Sequence, residues 1–196
     1  IYGADIWLKR EDLSPVRSYK LRGAFNSMRK QQKNKLFVAA SAGNHAQGVA
    51  YMCKHFGVKG TIFMPVTTPK QKIQKTEIFG GDSIQIELVG DYFDDCKKND
   101  GHFLSPFDDF DVIEGQASVA VEIEAQLGFC PDHIVMPVGG GGLSAGVLKY
   151  FENNSQYSLI EPLGGASLWA ALIAGRPVPL DKVDTFADGA AVWQIG

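Results

Sequence analysis

Cysteine is scarce in these 196 residues: Cys53, Cys96 and Cys130 are widely spaced and form no CxxC pair. That excludes a disulfide framework and a zinc site built on paired thiols, and reduced thiols in a cytoplasmic protein are the expectation. Long apolar runs are also lacking, and none approaches the roughly 18 residues of a membrane span. The opening "IYGADIWLKRED" lacks the charged-then-apolar design of a signal segment. No excess of one charge is present. The net charge of −3 gives no electrostatic reason to expect nucleic acid or an anionic membrane as partner. Internal repeats and low-complexity segments are absent. With 45% hydrophobic and 21% charged residues, the composition is that of a globular chain forming one large or two small domains.

Short apolar runs alternate with helix-like stretches. "KLFVAAS", "GTIFMP", "SIQIELV", "HIVMPV" and "YSLIEP" read as strands. "KLRGAFNSM", "NHAQGVAYMCKHFG", "TPKQKIQKTEIFG", "SVAVEIEAQLG", "LSAGVLKYFEN" and "SLWAALIAG" read as helices, with Pro69 near one start and Gly57 and Gly80 at stops. This alternation, with near-continuous apolar strands, predicts an α/β fold with largely parallel sheets. Two connections look too short, between Cys96 and His102 and between Glu152 and Tyr157, as if internal segments had been closed up.

Three stretches carry chemistry. "SAGNHAQGVA" follows the strand ending at Ala40. Free N–H groups at a helix start favour a carboxylate or phosphate, and Ser41, Gly43 and Asn44 suit a close polar approach. His45, as a lone histidine, is more often structural. "VGGGGLSAG" follows the strand ending near Pro137. Four consecutive glycines are costly to order, and their N–H groups can form a phosphate nest. No Gly-Lys-Ser/Thr follows, so it is not a Walker loop. Gly140, Gly142 and Ala145 do fit G-x-G-x-x-A with Glu161 about 20 residues on, which keeps a dinucleotide reading open. In "SPVRSYKLRGAFNSM", Lys20 lies near a helix start, whose positive dipole end lowers an ammonium pKa. An amine nucleophile and an ordinary exposed lysine are both compatible with that spacing.

Together, "LKREDLSPVRSYKLRGAF", "AASAGNHAQGVA", "PVGGGGLSAG" and "FADGAAV" resemble the fold type II pyridoxal-phosphate enzymes, and within them the threonine dehydratases of biosynthetic type. The resemblance runs over almost the whole chain. It implies two open, twisted, largely parallel sheets flanked by helices, with the cofactor between lobes. Residues 1–39 and 106–196 would form a large lobe, and 40–105 a small inserted one. It implies pyridoxal 5'-phosphate as cofactor. Lys20 would be the lysine covalently linked to it and the catalytic base, and Asn44 would bond the ring oxygen. Gly139, Gly140, Gly141, Gly142 and Leu143 would cradle the phosphate. Ser41, Ala42, Gly43, Asn44 and His45 would grip the carboxylate of an amino-acid substrate. The implied reaction is dehydration and deamination of L-threonine, and of L-serine, in a cytoplasmic homo-oligomer, a dimer or tetramer.

The departures concern peripheral groups. The family's partner for the pyridine nitrogen follows "FADGAAV" on a segment not contained in this sequence. The divalent cation of some relatives uses a Glu in an "EP" motif and an Asp six residues on. Here Glu161 stands, but the sixth position is Ser167, a poor hard-cation ligand, and no metal is expected. Serine racemase or serine dehydratase activity shares the same motifs, and a dinucleotide-binding oxidoreductase would use only the glycine run and Glu161.

Overall fold

A computed structural model describes residues 3–31, 33 and 36–196. The first predicted strand would begin at Lys35, which lies outside the described residues. Four strands form one parallel sheet: β1 (Leu36–Ala40), β2 (Lys59–Pro65), β3 (Ile84–Val89) and the two-residue β4 (His102–Phe103). Their order is β3-β2-β1-β4, with Val38 beside Thr61 on one side and Phe103 on the other. The inner strand β1 is apolar along its length because both faces are covered. Phe37, Ala39, Ile62 and Met64 pack under α1 (Lys20–Lys30) and α2 (Asn44–Phe56). The alternate residues Val38, Ala40 and Phe63 pack with Cys96 of α4 (Tyr92–Lys97). Cys53 and Cys96 are buried, which pushes their thiols up to about 12 and about 11 and leaves them unreactive. The helix α3 (Lys70–Gly80) joins β2 to β3.

The sheet includes Leu36–Ala39, which the expected lobe boundary at residue 40 leaves outside. Both connections expected to be short are short. The helix α4 has six residues, and a 3-10 turn, Glu152–Asn154, carries the chain onward with Glu152 at φ 49°, a left-handed conformation uncommon outside glycine.

A second parallel pair, β5 (His133–Pro137) and β6 (Gln156–Ile160), packs through Met136 on Ala120 of α5 (Phe110–Leu127) and on Val147 and Phe151 of α6 (Gly142–Phe151). The helix α7 (Ser167–Ala174) follows. The start of α5 lies eight residues ahead of the predicted "SVAVEIEAQLG". Asp109 caps it by accepting from Val112 N–H at 2.9 Å. Gly115 within it is a contact, not a stop: a Cβ there would lie 2.6 Å from the Arg22 carbonyl oxygen and 2.7 Å from Gly23 Cα, so α5 rests directly on α1.

Gly146 plays the same part between α6 and α5, where a Cβ would lie 2.7 Å from the Ile113 carbonyl oxygen. Gly146→Ala is expected to destabilise the chain by about 1–3 kcal/mol. Gly90→Ala, with nothing within 4 Å of its Cβ position, should stay within about 0.5 kcal/mol of the parent. Urea unfolding midpoints of the two variants check the contrast.

Candidate active site

The order β3-β2-β1-β4 reverses at β1: the chain steps to β2 and β3 on one side, then returns to β4 on the other. Loops leaving the carboxyl ends of β1 and β4 diverge there and open a crevice, the usual ligand position in such sheets. The loop after β1 is Ser41–Gly43. Ser41 N–H donates to the Phe63 carbonyl at 3.0 Å, and Ser41 Oγ accepts from Gly43 N–H at 3.2 Å. Ala42 is half-buried against the core. Asn44 is exposed as the first residue of α2, no acidic residue occupies that helix's first turn, and the Cβ position of Gly43 faces open space. The free N–H groups of this turn therefore face solvent and suit an anion.

His45 points the other way. Its ring is buried and its Nε2–H donates to the Leu104 carbonyl at 2.9 Å, tying the loop after β1 to the loop after β4. Burial, reinforced by the nearby Lys20 charge, lowers its pKa to about 3, so the imidazole is neutral. The His45 ring is thus tied to Leu104 through Nε2, while its backbone N–H lies in the first turn of α2.

Lys20 is the first residue of α1, and its Nζ donates to the Pro106 carbonyl. Burial lowers its pKa to about 8. The Tyr19 and Phe107 ring centroids lie 5.5 and 6.0 Å from Nζ, and no carboxylate pairs with it among the described residues. The Pro106 carbonyl and the Phe107 ring are presented by a tight turn in which Ser105 Oγ accepts from Asp108 N–H at 2.9 Å. This turn escaped the sequence reading. Its one signal is Ser105 ahead of Pro106, a turn-forming pair.

The glycine run leaves β5 and opens α6. Gly141 has φ 91°, and Ser144 Oγ donates to its carbonyl at 2.9 Å. A Cβ at Gly140 would lie 2.1 Å from the Phe107 ring, one at Gly142 2.8 Å from the Phe107 carbonyl oxygen, and one at Gly139 3.1 Å from Ala190 Cα. The run is thus glycine because other backbone and an aromatic ring lie on it. The Leu143 side chain belongs to the α5–α6 core, leaving its N–H to the loop. Lys20, the turn at Pro106 and Phe107, and the glycine run form one contiguous surface. The helix carrying Asn44 and His45 joins it through Gly48, whose Cβ position lies 3.3 Å from the Lys20 carbonyl. Two sets of unpaired N–H groups, an exposed amide and a weakly basic amine suit a phosphorylated aldehyde.

Glu161, the acid of the dinucleotide reading, is engaged elsewhere. Its two oxygens accept from Leu168 N–H at 2.8 Å and Trp169 N–H at 2.9 Å, capping α7. A ribose hydroxyl would find no free carboxylate there.

A sequence profile for the family described as pyridoxal-phosphate dependent enzyme matches residues 1–195. The chain belongs to that family. Family members depend on pyridoxal phosphate, and the donor set described above fits it. The chain is 48% identical over 209 residues to the biosynthetic L-threonine dehydratase IlvA of Bacillus subtilis (strain 168), covering 100% of this chain and 50% of the relative. It is 47% identical over 211 residues to the protein of that name from Corynebacterium glutamicum, covering 99% and 48%. Among solved structures, the processed form of threonine deaminase isoform 2 from Solanum lycopersicum superposes with a TM-score of 0.85 at 40% identity, over 96% of this chain and 58% of that one. The family's fold type II architecture is therefore the fold of this chain. The chain spans about half the length of the curated relatives it matches. The aligned stretches are also longer than its 196 residues, so within them the relatives carry residues this chain lacks.

The buried neutral His45 makes stability pH-dependent. Its folded pKa, about 3, lies below the roughly 6.5 of an unfolded histidine. Its contribution is complete above about pH 6.5 and is lost as pH falls, at up to about 1.4 kcal/mol per pH unit, because the unfolded chain takes the proton first. Unfolding midpoints measured from about pH 7 to about pH 5 should fall more steeply for the parent than for His45→Gln, by about 2 kcal/mol in total. Parallel curves would reject the assignment.

Proposed function

We propose that the chain carries the catalytic site of a threonine ammonia-lyase, converting L-threonine to 2-oxobutyrate and ammonia and acting on L-serine to give pyruvate. The observation that carries the reading is Lys20: an amine with its pKa lowered to about 8, beside the glycine run and one helix contact from the Asn44 turn. The 40–48% identity to threonine dehydratases and a threonine deaminase supports the choice of substrate.

Pyridoxal 5'-phosphate, when bound, supplies an electron sink for the carbanion that forms as the α-proton leaves. The chain's residues do the rest. The N–H groups of Gly139, Gly140, Gly141, Gly142 and Leu143 hold the phosphate, where the start of α6 adds its dipole. The Asn44 amide bonds the ring oxygen. The loop Ser41, Ala42, Gly43, Asn44 and His45 would grip the substrate carboxylate through the N–H groups of Ala42, Asn44 and His45, those of Ser41 and Gly43 being engaged by the Phe63 carbonyl and Ser41 Oγ. Lys20 would hold the cofactor covalently and, as a neutral amine, would take the α-proton of the substrate. The lowered pKa enlarges that neutral fraction near neutrality.

The lobes would be those expected, residues 1–39 and 106–196 against 40–105, with the boundary moved back so that Leu36–Ala39 stay with their sheet in the smaller lobe. Exposed Trp169, Leu172 and Ile173 on α7 support assembly as a dimer or tetramer. No helix of the described residues is long and apolar enough to cross a membrane, which accords with a cytoplasmic enzyme.

The test is 2-oxobutyrate production by the full-length protein. Lys20→Ala should retain cofactor non-covalently, lose the visible band that borohydride fixes, and make no measurable ketoacid. Asn44→Ala removes one hydrogen bond to a charged oxygen, about 1.5–3 kcal/mol, and should lose about one to two powers of ten in turnover or affinity. Retention of turnover by Lys20→Ala, or a larger loss in Asn44→Ala, would refute the assignment of roles.

A further inference from the structure

The stretch "LKRED" has no part in the chemistry above, and neither does Arg22, yet they meet. Arg22 Nε and Nη2 donate to the two oxygens of Glu11, each at 2.8 Å. Nη1 and Nη2 donate to the two oxygens of Glu122 on α5, each at 2.7 Å. Nη1 also reaches Ser118 Oγ at 3.0 Å. All five guanidinium N–H groups are used, in two forked pairs. Lys9 Nζ donates to Glu122 at 2.6 Å and to Gln126 at 3.1 Å, so two cations balance two carboxylates. Arg22 holds the Glu122 carboxyl down at about 2.

This clamp sits where α1 is weakest by itself. Tyr19 precedes the helix in αR conformation with no side-chain cap, and the first turn contains no acid. Lys20 and Arg22 both place positive charge at the positive end of the dipole. Such a turn frays unless something holds it. We propose that Arg22, gripped by Glu11 and Glu122, is a positioning residue for Lys20: it pins the first turn of α1 on α5 so that the lysine amine projects toward Pro106 and the glycine run. Gly115 lets the α5 backbone lie against the Arg22 carbonyl, so side chain and main chain are held together. Lysine could not replace the fork, because an ammonium is a point charge with no bidentate geometry.

This inference rests on the proposed covalent role of Lys20, and two cofactor forms separate it from that reading. Pyridoxal 5'-phosphate engages Lys20: the amine adds to the aldehyde carbon and one water leaves as the C=N bond forms. Pyridoxamine 5'-phosphate has no aldehyde and is held by the glycine run and Asn44 alone. Binding of each is measured on the full-length protein for the parent, Arg22→Lys and Glu122→Gln. Both variants should bind the pyridoxamine form within about twofold of the parent. They should bind the aldehyde form roughly tenfold more weakly, the scale of one charge-assisted hydrogen bond, with less cofactor fixed by borohydride. Equal weakening of both forms, or no change in either, overturns the proposal. If Arg22→Lys fails to fold, Glu122→Gln decides, since that side chain is 44% exposed. A parent protein with equal affinity for both forms and no borohydride-fixed band would instead refute the role of Lys20.

Discussion

Two glycines let helix backbones close on the first turn of α1, and the site depends on that contact. Gly48 brings α2 against the Lys20 carbonyl, and Gly115 brings α5 against that of Arg22. The helix whose start carries the Asn44 turn and the helix that follows the Pro106 turn are thereby both referenced to the lysine. A side chain at either glycine would push a helix out by tenths of an ångström or more, a displacement that matters where reacting groups must meet within about 3–3.5 Å.

The proposed site is suited to anions mainly through oriented N–H groups. Burial favours the uncharged form of Lys20 and keeps His45 neutral. Attraction comes from oriented N–H groups at the starts of α2 and α6, which need no counter-ion and hold their direction when water leaves. A guanidinium at the cleft would compete with the lysine for carboxylates. Arg22, two residues after Lys20, is paired with Glu11 and Glu122.

The β5–β6 pair is less finished than the four-stranded sheet. Val135 and Ile160 are well exposed, as are Ile6, Trp7 and Leu8 in the extended segment before Lys9. Apolar exposure on this scale marks a surface that another part of the protein or another copy covers.

The sequence by itself determined the element order, the parallel α/β class and the two glycine-bearing turns, because each is written in local period and local turn chemistry. Leu36–Ala40 had to be an interior strand, and Gly57 and Gly80 had to sit at helix ends. Lys20 was legible as a helix-start amine, although its burial was not. Only the tertiary structure decided the rest. The predicted helix began at Ser118, whereas α5 begins at Phe110 and Gly115 inside it makes a backbone contact with residues more than ninety positions away. The two-residue β4 exists through pairing with Phe37 and Val38. Pro106 and Phe107 became part of the site because β4 delivers them beside Lys20. The His45 ring was engaged by Leu104, and the Glu161 carboxylate by the start of α7. In every case the deciding partner is a backbone group brought up by the fold, and no spacing along the chain encodes where a backbone carbonyl or N–H will arrive.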